Sequence, residues 1–576
     1  MDKRHVIFTE KNNCQDCYKC IRYCPVKAIK MESHSASIIQ DRCIYCGKCT
    51  MICPVNAKKV RNDIQTAQFL LNQHKPVVLS IAPTYPLDFD SYEKEQFIFG
   101  LKSLGFSHIS ETAIGAEILS KEIRLWLNNK TSGVFLSSCC PTVVHLIQKY
   151  YPEHNDKIIP FLSPAQVHAK YLREIYGDIN VIFAGPCISK KTELEYPNNS
   201  IDLVLSFEEL NEMLQSDGLS PEFITNNKTE IFEPFEASTG KYYPVDGGML
   251  NDIKPNINAV DDNFVSCSGL SNIKNLLDNM LSSSSTPLFV ELMACQGGCV
   301  NGPGRVKSNS LVEARKKIIQ QKTEDFSKDN KILIKQNISI NYNFLDKILD
   351  KEYNEEDICE SLATIGKLSE KDELNCGGCG YFTCRQFAKA LLDGKAERQM
   401  CVVYMRKMAQ NKASVLLQKM PYGVVLVDEN LKIIESNKLF TKICGQDVSQ
   451  AYDAKPGLEG VSMIKVTSMY RLFQNLLESG NEGMEKNMRY NGKMLHVSLF
   501  SIQKHKLVCA IVQNMDEQDM DKEKILIKLK DVIRENMQTA QEVAGLLGEN
   551  ASNTECLINT IVDVYQKGDN NEQNVY

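Results

Sequence analysis

No stretch of the 576 residues approaches the ~18 uninterrupted apolar positions of a membrane-spanning helix. No long basic run appears, and the formal net charge is −6. Together these argue against nucleic acid as the main partner and against a place in the bilayer. The opening MDKRHVIFTEKNNC has no apolar core of the kind a secretory leader needs, so a cytoplasmic protein is expected. No kinase or phosphatase domain is recognisable. The length is too great for one core and predicts several domains.

What the chain does have is cysteine, 22 of them, mostly in clusters. In a reducing compartment clustered thiols are more often metal ligands than disulfides. CQDCYKCIRYCP (14–25) and CIYCGKCTMICP (43–54) are two copies of C-x2-C-x2-C-x3-C-P. In this run the fourth cysteine ligates the other cluster. Cys14, Cys17, Cys20 and Cys53 would then hold one [4Fe–4S] cluster, and Cys43, Cys46, Cys49 and Cys24 the second. A third group, NCGGCGYFTC with Cys401 further on, offers Cys376, Cys379, Cys384 and Cys401. It resembles a small four-cysteine [4Fe–4S] domain; zinc is the alternative. Gly377, Gly378 and Gly380 let that loop wrap closely and leave amides free for sulfur.

Between these groups the text alternates. VVLSIA, GVFLSS, INVIFAG and PLFVELMA read as strands, and SYEKEQFIFGLKSLG and AEILSKEIRLWLNN as helices. That predicts α/β layers with chemistry at strand ends. Residues 305–365 read as polar and mostly helical. Three cysteine segments follow strands: SSCCP (137–141), GPCISKKTE (185–193) and LMACQGGCVNGPG (292–304). They are expected to converge at one edge of a sheet.

These segments resemble the three signatures of the [FeFe]-hydrogenase large subunit, over about residues 1–400. The resemblance implies an H-cluster, a [4Fe–4S] cubane joined through one cysteine to a two-iron unit carrying CO, cyanide and a dithiolate. It implies that Cys140, Cys187, Cys295 and Cys299 hold the cubane and that Cys299 makes the bridge. Lys190 would donate to a cyanide, with Glu193 orienting that region. Met293 would lie beside the two-iron unit, and Cys139 would pass protons to it, its thiol exchanging near an ordinary pKa of ~8.5. Ala82 and Pro83 match a segment of the pocket wall. Gly297 and Gly298 are expected to remove Cβ atoms that would block the cubane.

The sequence also departs from the catalytic members of that family. Gly185 stands where methionine is usual and Val143 where tryptophan is. Ile159 or Pro160 falls near a relay serine, Ala165 replaces a glutamine, and Glu122 is the one good candidate for an upstream relay acid. The inner site is complete while the proton path is altered, which suits a slow sensor better than a fast metabolic enzyme.

PYGVVLVDENLKIIESNKLF opens a stretch, 418–516, that resembles a PAS domain. Neither His496 nor His505 is marked as a haem ligand, and no PAS cofactor is expected. Beyond it, a stripe from Leu526 to Val564 alternates steps of three and four, with Asn536 and Asn550 able to set register, as in a dimeric coiled coil. Cys267, Cys359, Cys444, Cys509 and Cys556 are left as structural.

The expected architecture is a multidomain α/β and α+β chain. It comprises a ferredoxin-like two-cluster module (1–62), an α/β H-cluster domain (63–365), a four-cysteine [4Fe–4S] domain (366–405), a linker helix (406–417), a PAS domain (418–516) and a helical tail (517–576). The expected function is hydrogen sensing: reversible hydrogen oxidation and proton reduction, with electrons relayed through three [4Fe–4S] clusters and the H-cluster to the PAS module. Hydrogen and protons, a ferredoxin-like electron partner, a separate kinase or phosphatase, maturation proteins and a second copy of the chain are the implied partners. A ferredoxin-coupled catalytic hydrogenase and a non-catalytic iron–sulfur scaffold lacking the two-iron unit are the alternatives.

Overall fold

The computed structural model describes residues 5–32, 35–219, 221, 230–254, 263–280, 284–306, 310–321 and 334–515. The stripe Leu526–Val564 and Cys556 lie outside the described residues. The chain forms two compact units: residues 1–14, 18–358 and 389–396, and residues 15–17, 359–388 and 397–576.

The first unit opens with two small antiparallel pairs. β1 (Ile7–Thr9) lies against β4 (Lys58–Val60), and β2 (Ile29–Glu32) forms a hairpin with β3 (Ser35–Ile38). Each cysteine run carries a five-residue helix, Lys19–Tyr23 and Lys48–Ile52, which turns its third cysteine inward.

Two parallel sheets follow. β5 (Val77–Ile81), β6 (His108–Glu111), β8 (Asn180–Gly185) and β9 (Leu203–Ser206) make one, in the order β6-β5-β8-β9. β7 (Gly133–Leu136), β10 (Phe264–Ser268) and β11 (Pro287–Met293) make the other, in the order β10-β11-β7. β5 and β8 are buried at every position, because helices cover both faces of a parallel sheet; their unbroken apolar runs have this cause. The helix Lys94–Ser103 falls within the first segment read as helical, and Ala113–Asn128 covers most of the second but begins three residues before it.

The helix Phe207–Ser216 begins at a capping box: Ser206 Oγ accepts from the Glu209 N–H (3.2 Å) and Glu209 Oε2 from the Ser206 N–H (2.6 Å). Glu209 also accepts from Lys191, a fully buried lysine that donates to Asp63 Oδ2 (2.6 Å), Glu209 Oε1 (2.9 Å) and the Val204 carbonyl (3.0 Å). One buried cation thus ties the segment entering the α/β region to β9 and to the helix after it.

Residues 305–365 are less helical than their polarity suggests. Among the described residues, helices cover Leu311–Ile319 and Glu355–Ala363, while 334–354 is extended or irregular. Ile338, Ile340 and Tyr342 are buried at alternate positions, a period of two that a helix cannot place on one face. Leu162 donates its N–H to the Ile338 carbonyl (2.9 Å), so this segment seals the core along 160–162.

In the second unit a helix spans Val402–Lys419 and leads to an antiparallel sheet. Its strands are β12 (Gly423–Asp428), β13 (Ile433–Ser436), β14 (Gly483–Tyr490), β15 (Lys493–Gln503) and β16 (Leu507–Asn514), in the order β13-β12-β16-β15-β14. Short helices between β13 and β14 cover one face. Leu417 and Met420 pack against Val424, Phe500 and Cys509 on the other. Asn437, fully buried, makes the joint: it accepts from the N–H groups of Val424 (2.9 Å) and Phe440 (3.0 Å) and donates to the carbonyls of Leu417 (3.0 Å) and Tyr422 (2.7 Å).

Candidate metal centre

The three cysteine segments do meet, but between two sheets rather than at the edge of one. β7 and β11 are parallel neighbours, while β8 belongs to the other sheet. Their C-terminal ends deliver Cys139 and Cys140, Cys187, and Cys295 and Cys299 to one place. This is the crevice position where parallel sheets put ligands. Cys140 caps the helix Pro141–Tyr150, with Pro141 in its first turn, and Cys187 caps the 3-10 turn Ile188–Glu195.

Two adjoining cavities result. Cys140, Cys187, Cys295 and Cys299 line the smaller, together with Met293, Gly302, Tyr45 and Cys46. The larger, of about 110 Å³, is walled by Cys139, Lys190, Glu291, Met293, Tyr243, Ala82 and Pro83, and it shares Cys140, Cys187 and Cys299 with the first. Every site residue expected of the hydrogenase resemblance faces one of these cavities except Glu193, Gly297 and Gly298.

The thiols fit a cluster. Burial pushes Cys187 up to about 12, and the neighbouring Cys140 thiol pushes the same way. Burial raises Cys295 and Cys299 as well, each again with its cysteine neighbours. Like groups so close and so dry hold no negative charge by themselves; a bound iron–sulfur core would keep them deprotonated. Among the described residues no three His, Cys, Asp or Glu side chains close on a single metal ion, and the thiols are spread around a space instead.

Lys190 and Glu193 form a buried pair at 2.7 Å. Glu193 Oε2 accepts in addition from Ser163 Oγ at 2.8 Å. The ammonium faces the larger cavity while the carboxylate stays behind it, so Glu193 is a positioning residue for Lys190. Cys139 contacts Met249 (Sγ to Sδ, 3.9 Å). Burial pushes its thiol above the ordinary range while the Lys190 ammonium pulls it down, so in the chain alone it stays protonated at neutral pH, unlike the near-neutral thiol expected from an ordinary value.

The two glycines of QGGC stand where a Cβ would meet other parts of the protein. Gly297 has φ +75°, and a Cβ there would come within 2.3 Å of Leu311. Gly298 has φ +102°, and a Cβ there would come within 2.2 Å of the Pro244 carbonyl and 3.1 Å of Met293 Sδ. The left-handed backbone and the wall behind it suffice to require glycine. Gly185 is explained in the same way. A Cβ would stand 2.7 Å from the Phe183 ring, which lines the larger cavity and fills the room a methionine at 185 would need.

Glu122 is half-buried and does not line the cavity. Sequence reading missed Glu291 and Tyr243, which do. The signal for Glu291 was visible, a carboxylate inside the apolar run PLFVEL. It accepts from the N–H groups of Gly247 (2.8 Å) and Met249 (3.1 Å), and burial pushes it up to about 7 from 4.5. Folded protein therefore holds a proton that unfolded chain has released between those pH values. Its contribution to stability is full below pH 4.5 and is lost as pH rises through 7. Glu291→Gln is expected to flatten the fall in unfolding free energy across this window by up to about 1.4 kcal/mol per pH unit. Denaturant unfolding of the metal-free chain at a series of pH values measures it; identical slopes would contradict it.

In the two-cluster module Cys24 lies near Cys43, Cys46 and Cys49, as an exchanged fourth ligand would, and raises each of those thiols after burial has done so. Backbone amides already point at sulfur, Ala28 to Cys24 (3.3 Å), Tyr45 to Cys43 (3.3 Å), Ala57 to Cys53 (3.2 Å) and Ala36 to Cys14 (3.5 Å). Cys20 is buried, and Cys17 falls in the segment 15–17 that groups with the second unit. Lys149 donates to the Cys43 carbonyl (2.9 Å) and Tyr150 to that of Arg42 (2.6 Å), which holds the second cysteine run on the helix Pro141–Tyr150 and puts Cys46 at the wall of the four-thiol cavity.

In the second unit Cys376, Cys379, Cys384 and Cys401 line a single cavity. Asn375 Oδ1 accepts the Cys384 N–H (2.7 Å), and Gly377 (φ +69°) and Gly380 (φ +88°) turn the loop. Of the remaining cysteines, Cys444 and Cys509 are buried, Cys267 is half-buried and Cys359 is exposed.

Comparison with known proteins follows this division. Residues 75–303 match the family model of the iron only hydrogenase large subunit, C-terminal domain. Residues 13–57 match a 4Fe-4S dicluster domain and 372–403 a putative Fe-S cluster domain. The chain is 24% identical over 294 residues to iron hydrogenase 1 of Clostridium pasteurianum (41% of this chain, 51% of that protein). It is 26% identical over 376 residues to the periplasmic [Fe] hydrogenase large subunit of Nitratidesulfovibrio vulgaris (54% and 89%). It is also 23% identical over 316 residues to a probable cytosolic Fe-S cluster assembly factor of Aedes aegypti (44% and 65%). The chain thus spans about half the length of the Clostridium protein. Among solved structures, an [FeFe]-hydrogenase from Chlamydomonas reinhardtii aligns with a TM-score of 0.36 at 18% identity, covering 45% of this chain and 88% of that one. The PAS domain of an HTR-like protein from Haloarcula marismortui aligns at 0.15 and 18%, covering 19% and 94%. An iron-only-hydrogenase-like domain accompanied by 4Fe-4S domains is the class these matches define. Among the described residues no helix is long and apolar enough to cross a membrane.

Proposed function

We propose that this chain is a hydrogen-sensing [FeFe]-hydrogenase of the cytoplasm. The carrying observation is the pair of adjoining cavities, one ringed by Cys140, Cys187, Cys295 and Cys299, the other by Cys139, Lys190 and Met293, with Cys299 on both. An H-cluster bound there would supply reversible heterolytic cleavage of hydrogen and an exit for single electrons. Lys190 offers an ammonium with three donors to an anionic group, and Glu193 keeps it aimed. Cys139 Sγ holds and passes the proton. The largely apolar wall excludes water.

Clusters held by the N-terminal module would supply an exit for electrons, and Cys46, on the wall of the four-thiol cavity, would be the ligand that adjoins it. The site at 376–401 is followed at once by the helix Val402–Lys419 and, through Asn437, by a sheet ordered 2-1-5-4-3, which suits the PAS reading of 418–516. We assign to that half the relay of redox state to a separate kinase or phosphatase, in a homodimer. Converting Cys376 and Cys379 to serine should abolish hydrogen-dependent output while leaving hydrogen oxidation intact; unchanged output would remove this cluster from the relay.

The relation to assembly factors keeps a second reading open, a scaffold without the two-iron unit. Infrared spectra of the matured protein under argon and then hydrogen separate the two. Sharp CO and cyanide bands that shift with hydrogen support the sensor. Full cubane loading without such bands would leave the scaffold.

A further inference from the structure

The two cysteine runs continue alike, CPVKAIK at 24–30 and CPVNAKK at 53–59, so the repeat sets Ile29 against Lys58. The backbone repeats too. The alanine before each donates its N–H to the fourth cysteine of its own run, Ala28 to Cys24 and Ala57 to Cys53. Both side chains at the repeated position are 2% exposed, yet one is apolar and the other an ammonium. Lys58 Nζ donates to Thr9 Oγ1 (2.6 Å) and to the Ala36 carbonyl, and the Ala36 N–H points at Cys14 Sγ. Among the described residues no carboxylate pairs with it. An ammonium withdrawn from water with only neutral acceptors is strongly unfavourable unless an anion lies near. The anions on offer here are the cluster thiolates, and the Ala36 peptide groups lead to one of them, the carbonyl accepting from Lys58 and the N–H pointing at Cys14 Sγ.

We propose that Lys58 is the internal counter-charge of the two-cluster module, and that it holds the reduction potential of the cluster that Cys14 would help to bind above the value an apolar residue would allow. A nearby positive charge stabilises the more negative, reduced form, and in a dry site little screens it. Cys46 of the same module lines the four-thiol cavity, so the module is the station beside it. A raised potential there favours electrons leaving the cavity, the direction in which a hydrogen sensor is read.

The inference rests on the cluster reading, and the test separates the two. Full-length protein is loaded with iron and sulfide, iron is counted, and EPR-monitored redox titration resolves the midpoints in the parent and in Lys58→Met, Lys58→Gln and Lys58→Arg. One midpoint should fall in Lys58→Met by at least the equivalent of a tenfold change in electron uptake, about 59 mV for a one-electron couple, while Lys58→Arg keeps the parent value. Should Lys58→Met lose its clusters, Lys58→Gln, which keeps a donor for Thr9 and Ala36, carries the same comparison. Unmoved midpoints in a loaded uncharged variant would overturn the inference, as would loss of clusters in both uncharged variants with Lys58→Arg intact, which makes the lysine structural. A parent chain that binds no cluster at 14–53 would remove the cluster reading itself.

Discussion

Lys191→Met is expected to lower the unfolding free energy of the first unit by about 3–5 kcal/mol, the usual cost of removing one partner from a buried ionic group. Lys191 is 1% exposed and holds two carboxylates, Asp63 and Glu209, at 2.6 and 2.9 Å. Without it both remain inside with one cation fewer. Asp63 keeps Arg61 (2.9 Å), and Glu209 keeps the N–H groups of Ser206 and Asp63, both at 2.6 Å, so the loss should fall nearer the lower figure. The triple variant Lys191→Met, Asp63→Asn, Glu209→Gln removes the stranded charges and should recover part of the loss. Denaturant unfolding followed by circular dichroism measures both. A loss below about 1 kcal/mol in the single variant would show that the triad is solvated, contrary to its burial.

On the proposed hydrogenase reading, Lys190→Met should weaken retention of a two-iron unit in the larger cavity 10–100-fold, the range seen when a residue supporting a metal site is removed. Two effects add. The larger cavity loses its ammonium, the group that faces an anionic occupant, and Glu193 is left 1% exposed with Ser163 as its side-chain partner. The variant Lys190→Met, Glu193→Gln separates them. It should recover stability but not occupancy, because the carboxylate costs only the fold whereas the ammonium acts on the ligand. The area of the CO and cyanide infrared bands per cubane reports occupancy, and unfolding reports stability. Equal band areas in parent and Lys190→Met would remove Lys190 from the site.

The candidate metal-binding residues were legible because thiols cluster for few other reasons in such a chain, and because fixed spacings such as C-x2-C-x2-C-x3-C-P encode which side chains share a face of a short loop. The strands under the site were legible for a similar reason: parallel strands buried on both faces appear as unbroken apolar runs. Glu291 shows the limit. Its place in PLFVEL was visible, but a carboxylate in a strand points to a cavity only when the facing strands are known. Glu122 had the right chemistry at a plausible place on its helix, yet the helix turns it away from the cavity. The extended segment around Ile338 was hidden by its polar surroundings, because a period of two over five residues weighs little against them.

From the sequence alone follow the sixteen cluster cysteines as candidates, their grouping by local spacing, the layered α/β text and the departures around Gly185 and Ala165. These depend on nearest neighbours along the chain, where periodicity and ring size are set by covalent geometry. Only the tertiary structure decided that the hydrogenase-like thiols meet between two sheets, that Cys46 lines the same cavity as those thiols, that Gly297 and Gly298 answer to Leu311 and Pro244, and that Lys58 and Lys191 are buried. Each depends on contacts between distant segments, and a lysine reads the same in sequence whether its ammonium ends in water or among buried oxygen acceptors.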